Sequence, residues 1–535
     1  MQIIRIGDGS GHLHSAASVG AKAANLIRMA AIGLPVPPGF VLPIKLCAAV
    51  IRGDARAAQH LHDGLRDGIA YLEHATGKTF GDRRQPLLVS VRSGAERSMP
   101  GMLDTVLDVG CTADAVHGLI RATGRPRLAW DCRRRFLESY AETVLGIDPG
   151  PFAQLLAGMK TAEAAASDRD FDSAAIEELA HHEQLLIEEH EDGFAEDAMS
   201  HLEAAARAVY RSWMSERAKT YRRLENLEHL AGTAVTVQAM VFGNAGLTSG
   251  AGVAFSRDPS TGAPEPMIDM VLEGQGEDVV SGRRPPDGPA MIARALPRLS
   301  GELGAVLRLL EREFGDVQDV EFTVEDGKLY VLQTRAAKRT PRAALRIAAD
   351  FVREGLIAPA EALRRIEDID LDALTETRLA GDGAAVLSGT GASGGVAVGR
   401  AAFTAEAAAR LAASGEPVIL LRPETSTADV AGFATAAGIV SAAGARTAHA
   451  ALVARQLGKP CVVGCGGLVI DEAAACARLG DTALAEGDWI AIDGDTGGIY
   501  PGRRDIVVRR PEAELAEVER WRAAVRAGSV HAPSV

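Results

Sequence analysis

One long run of helical sequence divides this chain into parts of different character. From about Ala113 to Glu228 the sequence is rich in alanine and charged residues and favours helix, with little strand character. Short apolar runs typical of buried strands come before it, as at Leu87–Val91, and return after it, as at Thr233–Val241. We therefore expect a mixed α/β protein in which a helical segment is inserted between two β-rich parts.

Three further segments have clear local patterns. The stretches Gln318–Phe322 and Leu329–Gln333 are predicted strands, and Glu325–Gly327 between them has the chemistry of a hairpin turn. Arg342–Glu354 is predicted to be a helix because its apolar residues share one helical face. Ser18–Ala31 is also predicted to be one amphipathic helix.

The last third of the chain is predicted to hold a linker and a compact domain. Leu379–Gly395 is rich in Gly, Ala and Ser, a composition typical of linkers. An alternating β/α unit follows from about Val396 to Tyr500, and the tail from Pro511 to Val535 begins as a helix.

Composition limits the class of protein. The 535 residues suggest three or four domains, the net charge is −14, and only 4% of residues are aromatic. Such a chain is a poor candidate for binding nucleic acid or an anionic membrane. The N-terminus has no apolar signal core, no run of about 18 apolar residues occurs, and the six cysteines form no CxxC pair. We expect a soluble, cytoplasmic enzyme with neither a nucleic-acid nor a membrane partner.

Two matches to nucleotide-binding motifs fail on their context. Residues 77–79 (GKT) resemble the end of a phosphate-binding loop, but Leu72 stands where that motif requires its first glycine. Residues 389–394 (GTGASG) fit GxGxxG, but they precede a predicted strand at Val396–Val398 instead of opening a helix.

Two carboxylates lie in the first strand of the predicted hairpin. Residues two apart share a face of a strand, so Asp319 and Glu321 project together while Val320 and Phe322 point to the core. Two carboxylates opposite a returning strand with Gln333 can hold Mg²⁺ and a nucleotide. The pattern alone leaves open the alternative of a solvated face on an edge hairpin.

Two basic residues stand at positions suited to phosphate binding. Lys22 lies in a run of small residues at a helix start, and Arg92 follows directly on a buried strand run. Each can pair with phosphate oxygens, the arginine through two hydrogen bonds. Each can equally be a surface charge.

His449 lies where a helix is predicted to begin after a loop of small residues. The strand Gly438–Val440 leads into the loop, Thr447 is a candidate N-cap, and Gly458 ends the helix. The helix dipole there favours a neutral imidazole, which is a nucleophile near pH 7, and stabilises an anion placed on it. A histidine simply packed at a helix start is the alternative.

The sequence resembles the pyruvate, phosphate dikinase family over nearly its whole length. The matching segments are LPVPPGF (34–40), VSVRSGAERSMPGMLDTVL (89–107), RSWMSERAKTYRR (211–223), VAFSRDPSTG (253–262), GEDVVSG (276–282), VQDVEFTVEDGKLYVLQTR (317–335), TAHAALVAR (447–455) and EGDWIAIDGDTGGIY (486–500). TAHAALVAR is similar to the TxH phosphohistidine segment of that family.

The resemblance implies a multidomain α/β and α+β architecture with an ATP-grasp nucleotide-binding region and a swivelling phosphohistidine domain. The predicted parts are a first ATP-grasp part (1–112), a helical insertion (113–228), a second ATP-grasp part (229–340), a helical linker (341–395), the phosphohistidine domain (396–510) and a tail (511–535).

The resemblance also implies residue roles, with ATP and Mg²⁺ as cofactors. Lys22 and Arg92 match the lysine and arginine that bind the triphosphate. Gln333 matches a catalytic polar residue, and His449 matches the phosphorylated histidine. The remaining predicted ligands of the nucleotide or its metal are Gly101 in the phosphate-covering loop, the metal carboxylates Asp319 and Glu321, and Gln238, Arg257 and Glu277 in matching segments.

The chain departs from the family pattern at two places. Alanines flank Lys22 where the family usually has glycines. Ala445 and Arg446 replace the Gly-Met of the family's GGMTSHA segment, and Ala448 replaces its Ser. We expect these changes to crowd the histidine loop and to alter phosphate access or the interface into which the loop swings.

The implied reaction uses ATP and inorganic phosphate to phosphorylate His449, giving AMP and pyrophosphate. The family continues into a (β/α)₈ barrel that binds pyruvate or phosphoenolpyruvate, and residues 511–535 are too few for a barrel of about 250 residues. We therefore expect the acceptor to be bound by a separate barrel protein. The alternatives are a different acceptor, water-dependent chemistry, or a non-catalytic nucleotide-binding regulator.

Overall fold

The fold is known here from a computed structural model that describes residues 3–97, 99, 102–165, 167–190, 194, 196–280, 286–381, 383–424, 430–444, 446 and 449–529. The chain divides into two units, which are Met1–Ala245 with Tyr330–Thr334, and Gly246–Leu329 with Arg335–Val535. Both units contain helices and sheets, which confirms the prediction of a multidomain α/β protein.

The first unit is built on a five-stranded sheet in the order β1-β2-β7-β5-β6. The strands of this sheet are β1 (Ile4–Ile6), β2 (Gly39–Leu42), β5 (Val89–Ala95), β6 (Thr105–Val109) and β7 (Thr233–Ala239), and β3 (Thr79–Phe80) pairs with β4 (Pro86–Leu87) in a separate two-stranded sheet. The helices before β7 are α1 (Ala16–Val19), α2 (Ala21–Ala31), α3 (Cys47–Ile51), α4 (Ala55–Thr76), α5 (Ala113–Thr123), α6 (Pro126–Tyr140), α7 (Gly150–Ala162), α8 (Ser173–His190), α9 (Ala198–Ser212) and α10 (Glu216–Leu224).

Two sequence predictions in this unit have different outcomes. The helical character predicted from about Ala113 to Glu228 is confirmed, because helices α5–α10 follow one another between β6 and β7. The single helix predicted over Ser18–Ala31 is wrong, because the backbone breaks at Gly20, which has φ +82° and ψ 154°. No helix continues through that conformation, so α1 ends before it and α2 begins after it.

The second unit begins with a four-stranded sheet in the order β11-β10-β8-β9. Its elements are β8 (Gly250–Phe255), β9 (Met267–Leu272), α11 (Gly276–Val280), α12 (Pro289–Ala295), α13 (Leu299–Phe314), β10 (Gln318–Glu325) and β11 (Lys328–Ala336), of which residues 330–334 are counted with the first unit. The predicted hairpin is confirmed, with Asp326 and Gly327 both at positive φ as a type I′ turn requires.

An eight-stranded sheet of mixed direction follows, in the order β13-β23-β22-β15-β16-β17-β18-β14. The elements from residue 341 onward are α14 (Pro341–Arg353), α15 (Pro359–Arg365), β12 (Glu376–Leu379), β13 (Leu387–Ser388), β14 (Thr390–Ser393), β15 (Val396–Ala402), α16 (Ala405–Ala412), β16 (Val418–Arg422), α17 (Val430–Thr435), β17 (Gly438–Ser441), α18 (His449–Gln456), β18 (Cys461–Val463), β19 (Leu468–Asp471), β20 (Cys476–Leu479), β21 (Thr482–Ala485), β22 (Trp489–Asp493), β23 (Gly498–Pro501), β24 (Ile506–Arg509) and α19 (Glu512–Ser529).

The segment predicted as a linker, Leu379–Gly395, is more ordered than its composition suggests. It contains the end of β12 and all of β13 and β14, and the last two belong to the eight-stranded sheet. Its glycines serve close packing, since a Cβ on Gly391 would lie 2.4 Å from the carbonyl oxygen of Gly494. Small residues here therefore mark a tight backbone approach within a sheet.

The ends of this region are held by packing and pairing. Strands β12 and β24 pair in antiparallel register, from Glu376 opposite Arg509 to Leu379 opposite Ile506. Helix α19 packs on α14 and α15 through Val518 and Trp521. Among the described residues, no helix combines the length and the apolar character needed to cross a membrane.

Candidate functional site

In the first unit, the helix that carries Lys22 begins against the strand that carries Arg92. A Cβ on Gly20 would lie only 2.1 Å from the carbonyl oxygen of Gly94, so glycine is required for this approach of α2 to β5. Lys22 is the second residue of α2, Arg92 lies within β5 and not after it, and both are half-buried. The structure thus brings together the elements of the two predicted phosphate-binding cations.

The segment of β11 that carries Gln333 is tied to the same region. Asn25, three residues after Lys22 on α2, donates a hydrogen bond of 2.9 Å from Nδ2 to the carbonyl oxygen of Thr334. The backbone N–H of Val331 donates to the carbonyl oxygen of Pro35 at 2.9 Å. Gln333 itself is 8% exposed. Its position near α2 agrees with the predicted role and does not test it.

Gln238 has a structural partner. Its Nε2 donates a hydrogen bond of 3.0 Å to the carbonyl oxygen of Pro37, and the side chain is buried in β7. This bond fixes the proline-rich turn before β2. Its ATP-binding role stays a prediction, and so does that of Gly101, which lies outside the described residues.

In the second unit, Asp319 and Glu321 lie on an inner strand of the sheet. The hairpin stands at the edge of the sheet through β11, but the face of β10 that carries Asp319 is not the solvated face considered from the sequence. Asp319 is 3% exposed, and its Oδ2 accepts a hydrogen bond of 2.8 Å from Arg335 Nε. Burial raises the pKa of Asp319, and the charge of Arg335 opposes that rise.

The carboxylate pair fits a magnesium site. Oδ1 of Asp319 is buried and has no hydrogen-bond partner among the described residues, whereas Oδ2 is occupied by Arg335. Glu321 lies two residues along the same strand face and is half-buried. Mg²⁺ prefers oxygen ligands and is commonly held by one or two carboxylates together with substrate phosphates. Asp319 and Glu321 are therefore suited to hold Mg²⁺ on a nucleotide.

Arg257 is engaged in ion pairs with carboxylates of neighbouring helices. Its guanidinium contacts Glu311 at 3.0 Å and Glu354 at 2.6 Å, and it lies 4.6 Å from the ring centroid of Phe351. These contacts join the four-stranded sheet to α13 and α14. These contacts are all with protein groups, and the nucleotide contact predicted for Arg257 stays a prediction. Glu277 is the second residue of α11, and its side chain lies outside the described part of the structure.

Helix α18 begins at His449, as predicted, although the histidine side chain and the candidate cap Thr447 fall outside the described part of the chain. Arg455, on the same helix, is 1% exposed, and its Nε donates to the carbonyl oxygen of Ala392 at 2.7 Å. Its guanidinium lies 5.3 Å from the ring centroid of Phe255 on β8. Its charge lowers the pKa of Asp319, so the two groups interact electrostatically.

The sequence analysis missed Asp269 and Arg335, which share this neighbourhood. Asp269 on β9 is opposite Val253, which is opposite Glu321, so the cross-strand register puts Asp269 on the same sheet face as the predicted metal ligands. A single carboxylate within the apolar strand Met267–Leu272 was an available signal. Arg335 is the last residue of the segment VQDVEFTVEDGKLYVLQTR (317–335), but only the hairpin register brings it to Asp319.

Two family models match separate stretches of this chain. Residues 54–305 match the family model "Pyruvate phosphate dikinase, AMP/ATP-binding domain", and residues 414–497 match "PEP-utilising enzyme, mobile domain". The second match contains His449. The first contains Arg92, Gln238, Arg257 and Glu277, but not Asp319.

Several curated proteins are similar over most of this chain. A pyruvate, phosphate dikinase of Clostridium symbiosum is 42% identical over 490 residues, which is 90% of this chain and 56% of that protein. A chloroplastic pyruvate, phosphate dikinase of Flaveria pringlei is 39% identical over 95% of this chain and 54% of its own length. The pyruvate, phosphate dikinase of Rhizobium meliloti is 38% identical over 97% and 60%. The chain thus spans little more than half the length of these relatives.

Proposed function

Because the chain belongs to the pyruvate, phosphate dikinase family, we propose that it is an ATP-dependent phosphotransferase that phosphorylates its own His449. The main support for this proposal is the buried carboxylate of Asp319, whose Oδ1 has no hydrogen-bond partner among the described residues. Asp319 lies two residues from Glu321, in the unit that also contains α18. A regulator that only binds nucleotide has no need for a nucleophile at the start of that helix.

The proposed chemistry depends on placing charge around the phosphates. Lys22 and Arg92 bind phosphate oxygens and neutralise the negative charge that develops during transfer. Asp319 and Glu321 would hold Mg²⁺, which would neutralise charge on the phosphates and polarise them. Gln333 donates hydrogen bonds to the nucleotide. Glycine at position 20 lets α2 approach β5 closely enough to serve this arrangement.

His449 supplies the nucleophile in the first step. An unprotonated imidazole nitrogen attacks the β-phosphorus of ATP, a new P–N bond forms, and the bond to the α-phosphate oxygen breaks so that AMP leaves. The β- and γ-phosphoryl groups are then both on His449. In the second step an oxygen of inorganic phosphate attacks the outer phosphorus, pyrophosphate leaves, and phospho-His449 remains.

The acceptor of the phosphoryl group is pyruvate on a separate barrel protein in this proposal. The eight-stranded sheet around α18 has a mixed open order, and the described residues contain no (β/α)₈ barrel. Movement of the histidine-bearing domain, whose sheet includes β13 and β14, would carry phospho-His449 to that acceptor. A different acceptor, including water, is the alternative form of the same chemistry.

Labelled ATP tests the first half-reaction. With ATP labelled at the β-phosphorus, Mg²⁺ and inorganic phosphate, we expect acid-labile label on the protein, AMP as a product, and no label in His449→Asn. His229→Asn is the matched control because His229 is exposed and lies in the first unit. Equal absence of label from wild type and His449→Asn, with ATP still bound, would favour the regulator.

The position of the label separates the two dikinase chemistries. With ATP labelled at the γ-phosphorus, the proposed route releases the label as pyrophosphate and only when inorganic phosphate is present. Release of the γ-label as inorganic phosphate without any added phosphate would instead identify water-dependent chemistry. Adding pyruvate and a barrel protein of the family should then discharge the phosphohistidine with formation of phosphoenolpyruvate.

A further inference from the structure

Arg446, which comes shortly before His449 in the chain, contacts the carboxylate-bearing face of the four-stranded sheet. Arg446, three residues before the histidine, places its Nη1 3.6 Å from Oδ1 of Asp269. Asp269 is on β9, opposite Val253 and on the same face as Glu321. The ion pair therefore links the phosphoacceptor loop directly to the face that carries the proposed Mg²⁺ ligands.

Asp269 is the buried member of this ion pair, and Arg446 is held by a second hydrogen bond. Asp269 is 6% exposed, and its Oδ2 has no hydrogen-bond partner among the described residues. Burial raises the pKa of Asp269, and Arg446 is the strongest influence that lowers it. Arg446 also donates from Nε to the carbonyl oxygen of Gly391 at 3.0 Å. The guanidinium is thus fixed between β14 and β9.

Arg455 strengthens the same attachment from within α18. Its Nη2 donates to the carbonyl oxygen of Arg446, and the guanidinium lies over Phe255 of β8. Its Nη1 is buried without a hydrogen-bond partner among the described residues, and its charge interacts with both Asp319 and Asp269. Two arginines on either side of the histidine therefore face the carboxylates of the sheet.

We propose that Arg446 is a positioning residue, whose ion pair with Asp269 fixes the His449 loop for attack on the nucleotide bound at Asp319 and Glu321. The inference rests on the proposed function and adds to it, since Arg446 is a departure from the Gly-Met of the family's segment. In this chain a cation occupies that position and has a buried anionic partner. Loss of Arg446 would release the loop and leave the buried Asp269 without its ion-pair partner.

A double-mutant cycle tests this coupling. The rate of labelling of His449 from β-labelled ATP is measured at saturating ATP and Mg²⁺ in Arg446→Met, Asp269→Asn and the double variant. We expect each single change to lower the rate about tenfold or more, with the KM for ATP changed less than threefold. The double variant should be no slower than Arg446→Met, because both changes remove one interaction.

Two further variants separate positioning from a general loss of structure. Arg446→Lys should recover a substantial part of the rate, and the charge exchange Arg446→Asp with Asp269→Arg should be faster than Arg446→Asp alone. Arg400→Gln, which removes a remote ion pair with Glu416, is the control and should leave the rate within twofold.

The outcomes distinguish the inference from the function on which it rests. A wild-type protein that acquires no label overturns the proposed function. A labelled wild type with Arg446→Met and Asp269→Asn within twofold of it, or with strictly additive losses, overturns only the role of Arg446. Nucleotide affinity and thermal unfolding are measured on every variant to identify those that have lost their fold. If Arg446→Met is one of them, the labelling rate of Arg446→Lys decides whether Arg446 positions the histidine.

Discussion

Arg335 Nε donates a hydrogen bond of 2.8 Å to Oδ2 of Asp319 across the β10–β11 hairpin. The bond occupies one carboxylate oxygen and leaves Oδ1 as the oxygen available to a metal ion. It also provides the positive charge that best opposes the effect of burial on the pKa of Asp319. Arg335 therefore sets both the orientation and the ionisation of the proposed metal ligand.

Arg335→Gln should move the acidic limb of the rate–pH profile for His449 labelling to higher pH. The folded-state pKa of Asp319 is already raised by burial, and removal of Arg335 raises it further, so a higher pH is needed to ionise the ligand. We expect a shift of about one pH unit. Label incorporation from β-labelled ATP at limiting Mg²⁺ measures it.

The control for that measurement is Arg339→Gln. Arg339 pairs with Asp316 at 2.7 Å, just outside the same hairpin. Its removal should leave the acidic limb in place. Equal displacement of the limb in both variants would show that the effect is a general loss of charge and not the ionisation of Asp319.

Arg257→Met should lower the free energy of unfolding by about 3 kcal/mol, because it leaves the buried Glu311 carboxylate without its cation. Denaturant unfolding monitored by circular dichroism measures the change. Glu354→Gln is the milder comparison, since Glu354 is partly exposed and its loss should cost about 1 kcal/mol or less. An Arg257→Met protein of wild-type stability that no longer binds ATP would instead support the nucleotide-binding role.

Gly20→Ala should reduce both stability and ATP affinity. The added Cβ would meet the Gly94 carbonyl at 2.1 Å, and the backbone conformation at φ +82° disfavours any other residue. We expect a loss of about 2 kcal/mol or more and weaker ATP binding through displaced Lys22, measured by denaturant unfolding and calorimetry. Gly33→Ala is the matched control, because Gly33 has φ +81° but open space around its Cβ. It should destabilise less and leave ATP affinity unchanged.

Glu183→Gln should make the protein more stable at about pH 8 than the wild type. Burial, with Glu138 nearby, raises the pKa of Glu183 well above its ordinary value. A raised carboxyl pKa means stability that is complete below the unfolded-state pKa and is lost as pH rises through the folded-state pKa. Glutamine resembles the protonated form and does not show that loss.

The pH dependence of unfolding provides the check. The difference in unfolding free energy between Glu183→Gln and wild type should be larger at about pH 8 than at about pH 5. Glu178→Gln, an exposed change on the same helix α8, should show no such trend. A constant difference at all pH values would contradict the assignment to Glu183.

Local signals predicted the hairpin and the start of α18 well. Glu325–Gly327 favours a tight turn wherever it occurs between strands, and Gly and Thr residues before His449 favour a helix start. The pairing of Asp319 and Glu321 on one face also follows directly from strand geometry. These features depend on neighbours in sequence, so the sequence alone was sufficient to place them.

The burial of Asp319 and the contacts of Asp269 could not be predicted in the same way. Both depend on which strands become neighbours, and β8 is inserted between β9 and β10 although it precedes both in the chain. The ion pair between Arg446 and Asp269 joins residues that are 177 positions apart in the chain. No local pattern specifies such a partner.

The pairing of β12 with β24 has a mechanical consequence for the histidine-bearing domain. The chain enters the domain next to β12 and leaves it next to β24, so both connections run side by side in one antiparallel ribbon. Because β12 and β24 are hydrogen-bonded to each other along four residues, the two connections are tied together and do not move independently. Any excursion of His449 is thus expected to require either that the whole ribbon moves with the domain or that the pairing of β12 with β24 opens.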